Sequence, residues 1–310
     1  MPGKTCIVIA GPTAAGKTNL SLQLAAYFNT DIISADSRQC YREQNIGVAK
    51  PGEKELSRVR HYFINSHSIH EEVNAAVFEK YALEAAGKIF AGKDYAVMVG
   101  GTGLYIRAFC EGLDDVPPID GSVRRSLRAE YTANGIGWLQ EMIRKNDPLF
   151  YEKGEMHNPH RMLRALEVKA ATGKSVLEWH SMSNRQRPFN IIRVGIALPR
   201  TLLYEQINKR VDTMMKAGLV EEVKALEPYR HSSALQTVGY TELFEYIDGK
   251  CSLEEAVDRI KKNTRHYAKR QLTWFKKDPG IRWFAPDDTE HITGFIDNMT
   301  RPEQGTAFLK

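Results

Sequence analysis

Eight consecutive residues, Gly11-Pro-Thr-Ala-Ala-Gly-Lys-Thr18, restrict this chain more than any other feature. They fit the phosphate-binding pattern G-x-x-x-x-G-K-S/T throughout. The run before them, Thr5-Cys6-Ile7-Val8-Ile9-Ala10, is apolar and β-branched, as a buried strand requires. Lys17 to Phe28, after them, reads as a helix. The glycines let the backbone fold back so that its N–H groups converge on an anion at the helix N-terminus. Gly11, Pro12, Thr13, Ala14, Ala15 and Gly16 form the cradle, Lys17 adds a point charge, and the Thr18 hydroxyl is able to ligate Mg²⁺. A chance glycine-rich turn would not bring strand, loop and helix together in register. The pattern implies a phosphorylated ligand and an α/β sheet.

The next hundred residues keep that alternation. Ile32 to Ala35 reads as a second strand ending at Asp36, His61 to Asn65 as a third, Val73 to Ala91 as a helix and Tyr95 to Val99 as another buried strand. Strand and helix in turn predict a parallel sheet with helices on both faces, a P-loop NTPase-like α/β fold. From Asp114 to about Pro188 the strand signal disappears. Asp120–Asn134, Trp138–Asn146, His160–Thr172 and Ser175–Met182 read as helices, bounded by Pro117-Pro118 and Arg187-Pro188. Ile191 to Leu198 then reads as a strand returning to the sheet. The remainder reads as helical, through Thr201–Lys216, Val220–Leu226, Thr241–Tyr246 and Leu253–Lys277. The expected organisation is a core of residues 1–113, an inserted all-α domain over 114–188, and a return to the core over 189–310.

Composition limits the setting. At 310 residues the chain has room for two domains, and no apolar run approaches the ~18 residues of a membrane span. The first strand begins almost at once, which leaves no space for a signal peptide. The four cysteines, Cys6, Cys40, Cys110 and Cys251, are scattered and suggest neither a zinc site nor a disulfide framework. A cytoplasmic protein is expected, and nothing demands more than a monomer. The net charge of +5 is mild support for a polyanionic partner.

Ordinary kinase chemistry fits poorly. A P-loop NTPase usually holds Mg²⁺ with a carboxylate at the end of an apolar strand. Here the strand at 95–99 runs into Gly100-Gly-Thr-Gly103, and Asp94 stands at its wrong end. The carboxylate best placed beside the P-loop is Asp36, since strand carboxyl ends form the ligand crevice of such sheets. Asp36 reads equally as a base, as an indirect metal partner, or as a turn cap. Gly100–Gly103 reads either as a strand-to-helix turn or as a second approach to phosphate, with Thr102 as donor.

The far end is basic. Arg259 to Lys277 holds eight Lys and Arg residues and no Asp or Glu, with His266, Tyr267, Trp274 and Phe275 interleaved. So many like charges on one helix repel unless something negative lies against them. Phosphate contact with base stacking, as in single-stranded RNA or loops, suits the pattern; a solvated basic face is the alternative.

Seven motifs, in this order and spacing, give the chain a family resemblance. They are Gly11–Thr18, Ser34-Ala-Asp-Ser-Arg-Gln39, Ile46-Gly-Val-Ala-Lys-Pro51, Val99-Gly-Gly-Thr-Gly-Leu-Tyr105, Asn158-Pro-His-Arg-Met-Leu-Arg-Ala-Leu-Glu167, Val238-Gly-Tyr240 and Ala268-Lys-Arg-Gln-Leu-Thr-Trp-Phe275. Over nearly its whole length the chain resembles the tRNA dimethylallyltransferases. It departs from them at Val48, where Thr is usual, at His61-Tyr62, where His-His is common, and at Asn65, where Asp is frequent; no role is given to the 61–65 segment.

The resemblance implies transfer of a dimethylallyl group from dimethylallyl diphosphate to N6 of the adenosine next to the anticodon of tRNA, with release of diphosphate. It implies Mg²⁺ with the diphosphate on the P-loop, Asp36 as the base, Thr102 near the leaving group and Arg210 beside the diphosphate. A stacked target base must be flipped out to reach a deep site. Asp36, Ser37, Arg38, Gln39 and Thr102 would then meet the base. From the helical insertion, Arg124, His160, Arg161, Met162, Leu163 and Arg164 would contact the anticodon stem-loop, although Met162 and Leu163 also read as core positions. From the core side the tRNA contacts would be Gln236, Thr237, Val238, Gly239, Tyr240 and Thr241, with Lys269, Arg270, Gln271, Leu272, Thr273, Trp274, Phe275 and Lys276. The competing expectations are a small-molecule kinase, a prenyltransferase acting on free adenine nucleotides, and a non-catalytic RNA-binding module.

Overall fold

The computed structural model describes residues 3–117, 119–179 and 185–300. Its strands are β1 (Thr5–Ala10), β2 (Ile32–Ala35), β3 (His61–Tyr62), β4 (Tyr95–Gly100), β5 (Asn190–Ile196) and β6 (Ile281–Phe284). Its helices are α1 (Lys17–Tyr27), α2 (Glu53–Leu56), α3 (Ala75–Phe90), α4 (Gly103–Glu111), α5 (Gly121–Asn146), α6 (Pro148–Lys153), α7 (Pro159–Thr172), α8 (Arg200–Lys216), α9 (Leu219–Ala225), α10 (Tyr240–Ile247), α11 (Leu253–Phe275) and α12 (Thr289–Thr300). The chain divides into two compact units, Met1–Glu111 with Gln186–Lys310, and Gly112–Arg185. No described helix is long and apolar enough to cross a membrane.

In the larger unit, one sheet runs in the order β3-β2-β4-β1-β5-β6 with every pairing parallel. β1 is central and buried along its whole length. Its side chains alternate faces: Cys6, Val8 and Ala10 join one apolar cluster, Ile7 and Ile9 the other. Two covered faces explain why the strand reads as a continuous apolar run. The register sets Ala10 beside Gly100 and Gly100 beside Ala35. The turns after β1, β2 and β4 therefore leave the sheet side by side, and the P-loop, Asp36 and Thr102 lie in those three turns.

The smaller unit is helical. Leu139 and Ile143 of α5, Phe150 of α6, and Met162, Leu163 and Leu166 of α7 form its core. Asp120, Asp147 and Asn158 cap the starts of α5, α6 and α7 by accepting backbone N–H bonds.

Several sequence expectations need correction. The helices expected at 120–134 and 138–146 form one run, broken at Gly135, whose φ of 74° and ψ of −169° leave the helical region. The helix expected over 175–182 is a short 3-10 turn at Val176–Trp179, and 180–184 lie outside the described residues. The third strand stops at Tyr62 because Phe63 and Asn65 adopt φ of 63° and 53°. The tail is also not wholly helical. Ile281–Phe284 pairs with β5 as the sheet edge, a strand too short to show a period of two.

Candidate active site

Gly16 ends the P-loop as the N-cap of α1, with φ of 85°. Few other residues adopt that left-handed conformation without strain, and it aims the first N–H groups of α1 into the loop. Lys17 Nζ donates to Pro12 O at 2.6 Å, curling the side chain back under the loop. Removal from water, and then the nearby Arg210 charge, pull its pKa down to about 7, while Asp36 opposes them. An ammonium so destabilised is poised for an anion. Arg210 Nη1 donates to Thr13 Oγ1 at 3.2 Å, so α8 brings a second cation to the same loop.

The Gly100–Gly103 turn has a third explanation beyond the two its sequence allowed. A Cβ at Gly100 would lie 2.2 Å from Ala35 O, one at Gly101 2.2 Å from Gln271 Nε2, and one at Gly103 2.2 Å from the Trp274 ring. The glycines let β2 and α11 pack against the end of β4. Gln271 uses that closeness. Its Oε1 accepts from Thr13 N at 2.8 Å and its Nε2 donates to Gly101 O at 2.9 Å. This amide, largely buried, ties the P-loop to the β4 turn and lines the cavity above it.

Asp36 is a cap and is also available for chemistry. Its Oδ1 accepts from Arg38 N at 2.8 Å and Gln39 N at 3.3 Å, forming an Asx turn. Among the described residues, Oδ2 takes no hydrogen bond, and Asp36 lines two cavities. Thr102 stands next to it, with Oγ1 accepting from Ser37 N at 3.1 Å. Burial, with Asp36 nearby, pushes the pKa of the Tyr267 hydroxyl up to about 12, and the neighbouring Thr102 opposes the rise. Arg38 reaches Ser233 O at 2.9 Å, and Gln39 Nε2 donates to Ala49 O at 3.1 Å. Both side chains hold neighbouring loops in place.

Two cavities meet at these residues. One, of about 320 Å³, is lined by Thr13–Asn19, Ser34, Gln39, Glu55 and His61. The other, of about 200 Å³, is walled by Val48, Val211, Met214, Leu219, Val238 and Ile260. Thr13, Asp36, Val48, Ala49, Arg210 and Tyr267 line both. A polar, cationic chamber thus opens onto an apolar one.

How the apolar wall is held was not legible before the fold was known. Glu222 of α9 accepts from the backbone N–H of Asn45 at 3.1 Å, Ile46 at 2.8 Å and Gly47 at 3.0 Å. It also takes the Tyr240 hydroxyl at 2.6 Å. Tyr240 is fully buried with its ring against Gly47, so its side chain serves this clamp and offers nothing to RNA. Thr237, Val238 and Gly239 line the apolar cavity. Gln236 is exposed and bonded to Arg230 O, and Thr241 donates to Glu242.

The basic helix divides along its length. Arg259 pairs with Glu245 at 2.7 Å, Lys261 with Asp212 at 2.6 Å, and Arg265 bonds Asn208 at 2.8 Å, so the first half is tied to its neighbours. Lys269, Arg270, Thr273 and Lys276 are exposed, and Trp274 is 38% exposed. Among the described residues no carboxylate pairs with Lys269, Arg270, Lys276 or Lys277. Phe275 is buried and Leu272 half-buried, both packed on the core. In the smaller unit His160 and Arg161 are exposed at the start of α7. Arg124 and Arg164 flank Glu167 at 3.4 and 3.7 Å, while Met162 and Leu163 are core.

The chain is similar to known proteins. The family model for IPP transferase matches residues 39–278. A tRNA dimethylallyltransferase of Christiangramia forsetii is 46% identical over 293 residues, which is 94% of this chain and 97% of that protein. Another, of Phocaeicola vulgatus, is 41% identical over 95% of this chain and 98% of that one. Among solved structures, the full-length tRNA isopentenylpyrophosphate transferase of Bacillus halodurans matches with TM-score 0.71 and 34% identity, covering 96% of this chain and 97% of that one. A eukaryotic dimethylallyltransferase acting on tRNA matches with TM-score 0.76 and 25% identity, covering 98% and 81%.

Proposed function

The chain belongs to the IPP transferase family, and we propose that it transfers the dimethylallyl group of dimethylallyl diphosphate to N6 of the adenosine next to the anticodon of tRNA, releasing diphosphate. The observation that carries this reading is the pair of cavities meeting at Asp36. A prenyl diphosphate has a polyanionic head and a hydrocarbon tail, and each chamber suits one of them.

The diphosphate lies against the backbone N–H groups of the 11–18 loop, with Lys17 and Arg210 beside it. As the allylic C1–O bond breaks, its electron pair leaves with the diphosphate, and these cations stabilise the charge that develops there. The N6 lone pair forms the new bond to C1. Asp36 takes the N6 proton through the carboxylate oxygen that its Asx turn leaves open. Thr102, fixed by Ser37 N–H, stands beside that proton's path.

The hard oxygens of Thr18 and Asp36 in the polar cavity suit Mg²⁺, which takes its remaining ligands from phosphate and water. Bound there, it would supply positive charge to the leaving group. Thr18 would hold it directly. The exposed Lys269, Arg270, Lys276 and Trp274 are read as tRNA contacts on the larger unit, and His160 and Arg161 as contacts on the smaller. Action as a monomer in the cytoplasm is part of this reading.

Unmodified tRNA incubated with the protein, Mg²⁺ and dimethylallyl diphosphate tests the reading by mass spectrometry of its nucleosides. N6-(dimethylallyl)adenosine is expected at the anticodon-adjacent position. Turnover of ATP with no such product would favour a kinase, and product on free AMP alone would move the acceptor to nucleotides.

A further inference from the structure

This inference rests on the transfer reaction above and concerns a residue that the reaction has not used. A donor with its diphosphate on the 11–18 loop and its tail in the apolar chamber must cross the residues that line both cavities. Its reacting carbon lies at that crossing. Among the six shared residues Tyr267 is the one aromatic side chain. Its neighbour Ala268 is fully buried against the sheet, and its hydroxyl lies near Thr102, which Ser37 N–H fixes in turn.

The face of an aromatic ring carries negative potential and attracts cations. Breaking an allylic C–O bond leaves positive charge shared between C1 and C3 of the prenyl group. Of the nearby cations, Lys17 and Arg210 belong to the diphosphate side, and the Arg270 guanidinium lies over one face of the Tyr267 ring, 5.8 Å from its centroid, leaving the other face free of it. Asp36 and Tyr267 remain for the allylic side. We propose that Tyr267 is a further catalytic residue, whose ring face stabilises the allylic charge between departure of the diphosphate and attack by N6. The ring exchanges no proton or electron, and its hydroxyl stays protonated.

Replacing Tyr267 by phenylalanine, and then by 4-fluoro-, 3,5-difluoro- and 3,4,5-trifluorophenylalanine, in the full-length chain tests this. The series keeps the ring's outline while draining its face of negative potential. Tyr267→Phe should stay within about 3-fold of wild type in single-turnover rate on tRNA. The fluorinated rings should then slow the chemical step stepwise, to about 10-fold in total, and Tyr267→Leu should lose about 10- to 30-fold. The apparent constant for dimethylallyl diphosphate and the affinity for tRNA should stay flat across the fluorine series. A rate that does not respond to fluorination overturns the proposal, as does a loss confined to donor binding or melting temperature. A wild-type control that transfers no prenyl group overturns the proposed function itself. An active wild type with a flat series overturns only the role of Tyr267.

Discussion

The polar cavity takes its floor from one continuous stretch, residues 13–19, whereas the apolar cavity takes its walls from separated segments around Val48, Met214, Leu219, Val238 and Ile260. The difference follows from what each is proposed to bind. Phosphate is held by backbone N–H groups, and a backbone shape that specific needs particular residues in a row. A hydrocarbon surface asks only for apolar side chains, and any element that passes nearby can supply one. The first chamber is therefore rigid by sequence. The second is rigid only through the contacts that hold its segments together, chiefly the Glu222 clamp on residues 45–47 and the Gln39 bonds to Val48 O and Ala49 O.

Asp36 stands where the chambers meet, and its substitution should have the largest effect. Asp36→Asn keeps an oxygen for the Asx turn and removes the base. Single-turnover rate should fall by about 10²–10⁴-fold with melting temperature and tRNA affinity near wild type. Asp36→Ala should lose the same rate and also melt lower. If Asp36→Asn turns over normally, the residue is a cap and nothing more.

Lys17 probes the polar chamber alone. Lys17→Met should raise the apparent constant for dimethylallyl diphosphate and slow turnover, together about 10²-fold in kcat/KM, because charge grows on the leaving group. Its lowered pKa has a definite sign. The unfolded chain holds this proton more tightly than the folded one. Lys17 therefore costs stability in full below about pH 7, and the cost fades as pH rises toward the ordinary lysine value of about 10.4. A bound diphosphate restores the charged form, so binding at pH 8 should take up a proton. Titration calorimetry in buffers of different ionisation enthalpy would register it, and Lys17→Met should abolish it. Buffer-independent heats in wild type would contradict this picture of the cradle.

Glu222 probes the apolar chamber. Glu222→Gln keeps one acceptor but loses the charge that gathers three N–H groups and the Tyr240 hydroxyl. A loss of about 10-fold in kcat/KM for dimethylallyl diphosphate is expected, with proton uptake on inorganic diphosphate binding unchanged. Equal damage to inorganic diphosphate binding would show that the chambers are not independent. The smallest effect belongs to the exposed end of α11. Replacing Lys269 and Lys276 by Gln should flatten the log–log salt dependence of tRNA binding by roughly one to two units and leave donor affinity alone.

Legibility in the sequence follows the same division. The β1–loop–α1 start was readable because one contiguous motif fixes it, and Asp36 because it ends a clear strand. Glu222 was not, since an acidic residue in a seven-residue helix beside Glu221 carries no local mark of its three backbone partners. Gln271 and Tyr267 were named only as members of a basic, aromatic run, and that run carries no mark of the P-loop contact of the one or the cavities lined by the other. In α11 the count of Lys and Arg did not show which of them are engaged within the fold: Asp212, Glu245 and Asn208, distant in sequence, hold its first half. Burial explains the remaining differences. Met162, Leu163 and Phe275 belong to motifs that also carry exposed residues, and a motif does not say which of its members face inward.

The division of the donor between the two chambers is tested most directly by a crystal structure of the protein with Mg²⁺, an anticodon stem-loop and the unreactive thiolodiphosphate analogue of dimethylallyl diphosphate. The expected result has the diphosphate on the backbone of residues 13–18, the methyl groups against Val48, Met214 and Val238, and the reacting carbon between Asp36 and the ring of Tyr267. An analogue whose tail turns away from the apolar chamber, or whose diphosphate lies off the 11–18 loop, would contradict it.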